Sequence, residues 1–187
     1  MRILAGKYKG KSLKTFSNPD IRPTSGLVKE SFFNICSSDI KGASFLDLFA
    51  GMGSVGFEAL SRGAIHVIFV DISFKAVRLI HTNAALIGPE LPIMILKQDA
   101  SSAIQRLAKQ HKSFDLIYID PPYDFPSDYV QTLLEDIVFG KLLNFHGIIV
   151  LENASNEVIL CENLILRRRR KLGKTYLSEY ILKKNFQ

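Results

Sequence analysis

The apolar positions of this chain fall into short, almost unbroken runs separated by longer amphipathic stretches. Runs near 43–49, 66–71, 93–98 and 114–120 are wholly or nearly apolar, and a fifth spans Gly147 to Leu151. Between them, residues 54–62, 73–87, 100–111 and 127–138 carry apolar side chains at helical spacing. Strands apolar on both sides, alternating with helices, predict a parallel sheet covered on both faces. Ahead of this core, Thr24 or Ser25 can cap a helix running to about Cys36, with Val28, Phe32, Phe33 and Ile35 as its apolar stripe.

The two ends of the chain read differently. Residues 2–15 alternate loosely and predict a β-hairpin with Ile3, Leu4 and Leu13 on its apolar side and Lys7, Tyr8, Lys9 and Lys11 at its tip. Leu164 onward and Thr175 to Lys184 predict two antiparallel strands joined at Gly173 and added to the sheet's edge. Arg167 to Arg170 lie within the first of them, where alternate side chains face opposite sides. The organisation predicted is a basic hairpin extension over 1–22 and one compact domain over 23–187.

Charge sharpens that division. Residues 1–22 and 163–187 together hold fourteen Lys/Arg against two acids, a net +12, whereas residues 23–162 carry ten against sixteen, a net −6. Basic ends on an acidic middle predict a polyanion surface, with Arg2, Lys7, Tyr8, Lys9, Lys11, Arg22, Arg168 and Arg170 as candidate nucleic-acid contacts. Arg22 and Lys29 read either as a solvated helix edge or as a lip over a ligand. The 187 residues contain no apolar run near the ~20 needed for a membrane span, and no signal-peptide h-region. Cys36 and Cys161 are too few and too separated for a disulfide framework, so a reducing, cytoplasmic setting is expected. The four histidines lack ligand spacing, so no metal is expected.

The candidate chemistry lies at the strand ends. After the first run come Gly51, Gly53 and Gly56, then a helix; Asp71, twenty residues past Gly51, closes the second run. That spacing is the one at which an acid meets a ribose hydroxyl in nucleotide-binding βαβ units. NAD and S-adenosylmethionine both fit, and Asp47 favours the second, because a carboxylate there suits a ligand ammonium. Asp99 and Asp120 close the third and fourth runs, so three carboxylates converge on one crevice. Asp120 is followed by Pro121, Pro122 and Tyr123. Two prolines stiffen the backbone and free carbonyls from the ladder. Asp120 and the Pro121 carbonyl then form two acceptors for a planar amine, with the Tyr123 ring to stack on its base.

Asp-Pro-Pro-Tyr after strand four and D-L-F-A-G-M-G-S-V-G after strand one resemble the amino-methylating, S-adenosylmethionine-dependent methyltransferases. The segments R-I-L-A-G-K-Y-K-G-K, R-P-T-S-G-L-V-K-E-S-F-F-N-I and E-A-L-S-R-G-A narrow the resemblance to the bacterial 16S rRNA guanine-N2 methyltransferase family of the small subunit, D-type. It covers nearly the whole chain. The resemblance implies a Rossmann-like class I methyltransferase fold with a mostly parallel seven-stranded sheet. It also implies methylation of a guanine 2-amino group in 16S rRNA, on assembled 30S particles, by a monomer. On that reading Asp120, Pro121, Pro122 and Tyr123 are catalytic. Asp47, Phe49, Gly51, Gly53, Asp71 and Asp99 hold the cofactor, with Asp47 near its ammonium, Asp71 on the ribose and Asp99 on the adenine amine. One departure from the family pattern is Lys174, where an acid is usual in the C-terminal turn. Rivals are an adenine-amine DNA methylase, for which the chain has no room for a recognition insertion, an NAD-dependent oxidoreductase, and a silent RNA-binding module.

Overall fold

The computed structural model describes residues 1–16 and 26–184. Twelve elements follow one another over these residues: α1 (Gly26–Ile35), β1 (Ser44–Leu48), α2 (Ser54–Ser61), β2 (His66–Asp71), α3 (Phe74–Ile87), β3 (Ile93–Lys97), α4 (Ala100–Lys109), β4 (Phe114–Ile119), α5 (Ser127–Phe139), β5 (Leu143–Asn153), β6 (Leu164–Leu172) and β7 (Thr175–Leu182). They build a seven-stranded sheet in the order β3-β2-β1-β4-β5-β7-β6. β1 to β5 are mutually parallel, and β7 is antiparallel to both β5 and β6. This is a Rossmann-like sheet, mostly parallel, with the expected antiparallel hairpin at one edge.

The period of two along each strand divides the core. Phe45, Val67, Phe69, Leu116, Tyr118 and Val150 face α1, α2 and α3. Leu46, Leu48, Ile68, Val70, Ile117 and Leu151 face α4 and α5. Both faces are dry, which is why the strand sequences lack polar alternation. Gly56 allows α2 to press onto β2: a Cβ there would lie 2.2 Å from the Phe69 ring.

The chain runs outward from β1 to β3, then returns to β4 on the other side of β1. The strand order reverses there, and the carboxyl ends of β1 and β4 part to leave a crevice.

Three expectations need correction. The amino-terminal hairpin reduces to a single antiparallel bridge, Arg2 to Ser12, supported by bonds such as Ile3 N–H to Lys11 O (3.0 Å). The loop between the bridged ends gives its hydrogen bonds to the body of the protein instead. Leu4 and Ala5 N–H donate to the Glu58 carboxylate at 2.8 and 3.0 Å, and Tyr8 N–H donates to Ser61 Oγ at 2.9 Å. Gly6 sits so close to α2 that a Cβ would overlap the Ser61 carbonyl oxygen at 1.7 Å. Ile3 and Leu13 are buried in the same core as α1 and α2, so this basic arm packs as part of the main body.

Lys29 is neither solvated nor a lip. It is 1% exposed and pairs with Glu58 (3.2 Å), itself 0% exposed, while also donating to the Arg2 carbonyl (3.2 Å). Arg62 Nε completes the set around Glu58 at 2.9 Å. Strict alternation along the arginine run fails too, because β6 carries a bulge between Leu166 and Arg168. The extra residue, Arg167, swings to Glu179 (3.1 Å), and Arg168 becomes the partner of Glu179 in the ladder.

Candidate active site

A cavity of about 690 Å³ opens at the point where the strand order reverses. Its floor is the turn after β1, Phe49 to Met52; one wall is Asp71 to Ser73 after β2. Gln98 and Asp99 after β3, and Asp120 to Phe125 after β4, close the other sides. Phe16, at the end of the arm, and Tyr129 on α5 complete it. Such a volume accommodates a nucleoside-sized ligand.

Asp71 braces the turn. Its Oδ2 accepts from Gly51 N–H at 2.7 Å and its Oδ1 from Ser73 N–H at 2.8 Å. Burial pushes this carboxyl up, and the two backbone N–H groups pull it back. A carboxylate has about four acceptor sites, so lone pairs remain for ligand hydroxyls. A Cβ at Gly51 would meet nothing within 4 Å, so the bare backbone of the turn faces open cavity. This is what the close approach of an extended ligand requires. Asp99 caps α4, accepting from Ser102 N–H at 2.9 Å, which holds its carboxyl below the usual range. It is partly exposed where it lines the cavity.

Asp47 does not line the cavity. The alternation that sends Leu46 and Leu48 to the α4–α5 face sends Asp47 to the α2 face, where it is 2% exposed and accepts from Gly56 N–H at 3.0 Å. Burial pushes its carboxyl up to about 7, against the pull of Gly56 N–H, and nearby Asp71 adds to the rise. Direct contact with a ligand ammonium is incompatible with this placement; Asp47 secures the first turn of α2 from behind. Gly53 is likewise structural: it is the N-cap of α2 at φ 80°, with its Cβ position against Phe57 and Phe69.

The tetrapeptide is at the cavity. Asp120 N–H reaches the Leu48 carbonyl at 3.5 Å, the last tie between β4 and β1. Pro121 and Pro122 follow it along the wall, and the Tyr123 ring is 59% exposed at the rim. Two residues before Asp120, the buried Tyr118 hydroxyl donates to buried Glu152. Burial, then the charges of Asp120 and Glu152, push that phenol far up, so it remains a donor.

Sequence reasoning missed Phe16, Ile72, Gln98, Phe125 and Tyr129. Phe125 stands edge-on to both Phe49 (5.7 Å) and Tyr129 (5.0 Å), making an apolar wall opposite Asp71 and Ser73. In the run D-F-P-S-D-Y after Tyr123 the two aromatics are four residues apart, but Pro126 between them divides loop from helix and hides the pair.

The candidate nucleic-acid residues divide. Lys7 and Lys11 stand over the Tyr8 ring at 5.3 and 5.9 Å, but Lys11 Nζ also caps α3 at the carbonyls of Ile87 and Leu86. Arg2, Lys7 and Lys9 are exposed. Arg169 stacks on Tyr176 (4.3 Å) and donates to the carbonyls of residues 155–157. Arg168 and Arg170 are exposed. Arg170 pairs with Leu177, which belongs to the core beneath the arm, so both arginines rise from the arm's side of the sheet. Arg22 lies outside the described residues. Among the described residues, no helix is long and apolar enough to cross a membrane.

Residues 1–181 match the family described as "Conserved hypothetical protein 95". The chain belongs to this family. Within reach of it in sequence are the putative rRNA methyltransferase YlbH of Bacillus subtilis, 38% identical over 96% of this chain and 98% of the relative, and the ribosomal RNA small subunit methyltransferase D of Buchnera aphidicola subsp. Baizongia pistaciae, 31% identical over 100% and 94%. Among solved structures, a putative methyltransferase (yhhF) from Escherichia coli superposes with TM-score 0.84 at 23% identity, covering 98% of both chains. A putative methylase from Haemophilus influenzae does so with TM-score 0.79 at 26% identity, over 96% of this chain and 97% of the other. The family's fold is thus the one built here.

Proposed function

We propose that this protein is an S-adenosylmethionine-dependent rRNA methyltransferase acting on the exocyclic 2-amino group of a guanine in 16S rRNA, on the assembled small subunit. The observation that carries the reading is the meeting of two motifs in one cavity: the glycine turn braced by Asp71, and Asp120-Pro121-Pro122-Tyr123. The relatives named as rRNA methyltransferases support the reaction class and the small-subunit RNA.

The donor set fits the cofactor. The bare turn at Gly51 takes its methionine portion, Asp71 its ribose hydroxyls, and the Phe49–Phe125–Tyr129 wall with Asp99 its adenine. S-adenosylmethionine supplies an electrophilic methyl group. The chain supplies placement. Asp120 and the Pro121 carbonyl accept the two hydrogens of the guanine amine and turn its lone pair out of conjugation. Tyr123, at the rim, stacks on the flipped base. Fixing both partners in a near-attack geometry contributes up to roughly 7–11 kcal/mol in favourable systems. The methylated nitrogen, acidic once formed, releases its proton to Asp120 or water.

Methyl transfer from tritiated cofactor to 30S particles, free 16S rRNA and duplex DNA tests this, with the product nucleoside identified by digestion and mass spectrometry. N2-methylguanosine from 30S particles is the expected result. N6-methyladenine in DNA would identify an adenine methylase instead, and label retained only on bare RNA would exclude the assembled particle.

A further inference from the structure

Asn83, on α3, is 0% exposed and three of its four bonding sites are used. Its Nδ2 donates to Met52 O at 3.0 Å and to Lys14 O at 3.1 Å, and its Oδ1 accepts from Lys14 N–H at 2.8 Å. Met52 belongs to the turn that floors the cavity. Lys14 belongs to the basic arm, and two residues later the arm's Phe16 lines the same cavity. One buried amide therefore ties the arm to the turn. Shifting either segment alone would leave buried polar groups unpaired, which strongly favours their moving together.

We propose that Asn83 is a positioning residue that joins the RNA-contacting arm to the cofactor turn, so that filling the cavity fixes the arm and RNA on the arm steadies the turn. This rests on the reading of the arm as an RNA contact. The far half of the arm is already pinned: Lys29 on α1 and Glu58 and Ser61 on α2 hold residues 2–8. The half that leads into the cavity is held at Lys14, and Asn83 is where its position meets that of the turn. Linkage makes the coupling reciprocal: whatever factor the cofactor confers on RNA affinity, RNA confers on cofactor affinity.

Two measurements on the full-length protein test this. Hydrogen exchange at the Lys14 amide is followed with and without S-adenosylhomocysteine; about 10-fold greater protection in the filled state is expected, and equal protection overturns the proposal. RNA affinity is then measured with and without S-adenosylhomocysteine in the native protein and in Asn83→Ala. The native ratio is expected at about 10 and the variant's at about 1, a coupling within the usual range. A purely structural role would lower the melting temperature and both affinities yet leave the ratio intact, and that outcome overturns the proposal. Should Asn83→Ala fail to fold, the exchange measurement on native protein decides. The two readings fail separately: an enzyme inactive on every RNA sinks the proposed function, whereas an active enzyme with a native ratio of 1 sinks only the coupling.

Discussion

Gly51 N–H donates to Asp71 Oδ2 over 2.7 Å, across twenty residues of sequence. The acid that sequence spacing assigns to a ligand is thus also the brace of the turn proposed to carry that ligand. Asp71→Ala releases Gly51 and Ser73 N–H together and, on the proposed reading, also removes the ribose contact. Cofactor Kd, measured by calorimetry, is expected to rise about 10- to 100-fold, the equivalent of one charge-assisted bond. An unchanged Kd would refute both roles.

Asp120 lines the cavity, and in the proposed reaction it accepts from the amine rather than from the cofactor. Asp120→Ala should reduce kcat by roughly a thousandfold or more, as loss of one preorganised transition-state contact does. Cofactor Kd should stay within a few-fold. Loss of cofactor binding in this variant would relocate Asp120 to the donor's site.

Asp47 makes stability depend on pH. Its carboxyl titrates near 7 when folded, against an ordinary value of 3.8. Between those values the folded state holds a proton the unfolded chain has released, so this contribution falls as pH rises from about 4 to 7 and is flat above. The loss is on the order of 4 kcal/mol. Asp47→Asn keeps an acceptor for Gly56 N–H without the charge. It should melt higher than the native protein at pH 8, with the advantage shrinking toward pH 4. An advantage equal at both ends would show that Asp47 is ionised in the fold throughout.

The arm and the edge hairpin present exposed cations on one side of the sheet. If Lys7, Lys9, Arg168 and Arg170 meet phosphates, log affinity for RNA falls linearly with log salt. Each alanine replacement should then reduce the slope by about 0.7–0.9. Lys11→Ala should act differently, lowering the melting temperature by uncapping α3. A slope indifferent to all four substitutions would remove both surfaces from the interface.

Much of this was legible in advance because burial on both faces leaves strands no choice but apolar residues. β2 begins and ends where the runs predicted, and the acids after β2, β3 and β4 do meet in one cavity. What escaped the sequence depends on partners distant in the chain. Lys29 looks solvated until Glu58 is seen to be buried beside it. Asp47 looks aimed at a ligand because the run around it is continuous; only the pleat reveals that it points to α2. Phe125 and Tyr129 form a wall only once the β4–α5 loop folds back on Phe49. Arg167 breaks the alternation because a ladder can absorb one surplus residue without any change in composition.

The bonds that fasten the arm to α2 and α3 join residues 53 to 76 positions apart. Closing loops of that span is slow, and its entropy must be met before the contacts reward it. The arm's bonds to α2 and α3 can close only once those helices have been made. The half of the arm that leads to the cavity is therefore secured last: a chain cut before Asn83 and Ile87 would lose the ties at Lys14 and Lys11 while keeping those to Glu58 and Ser61.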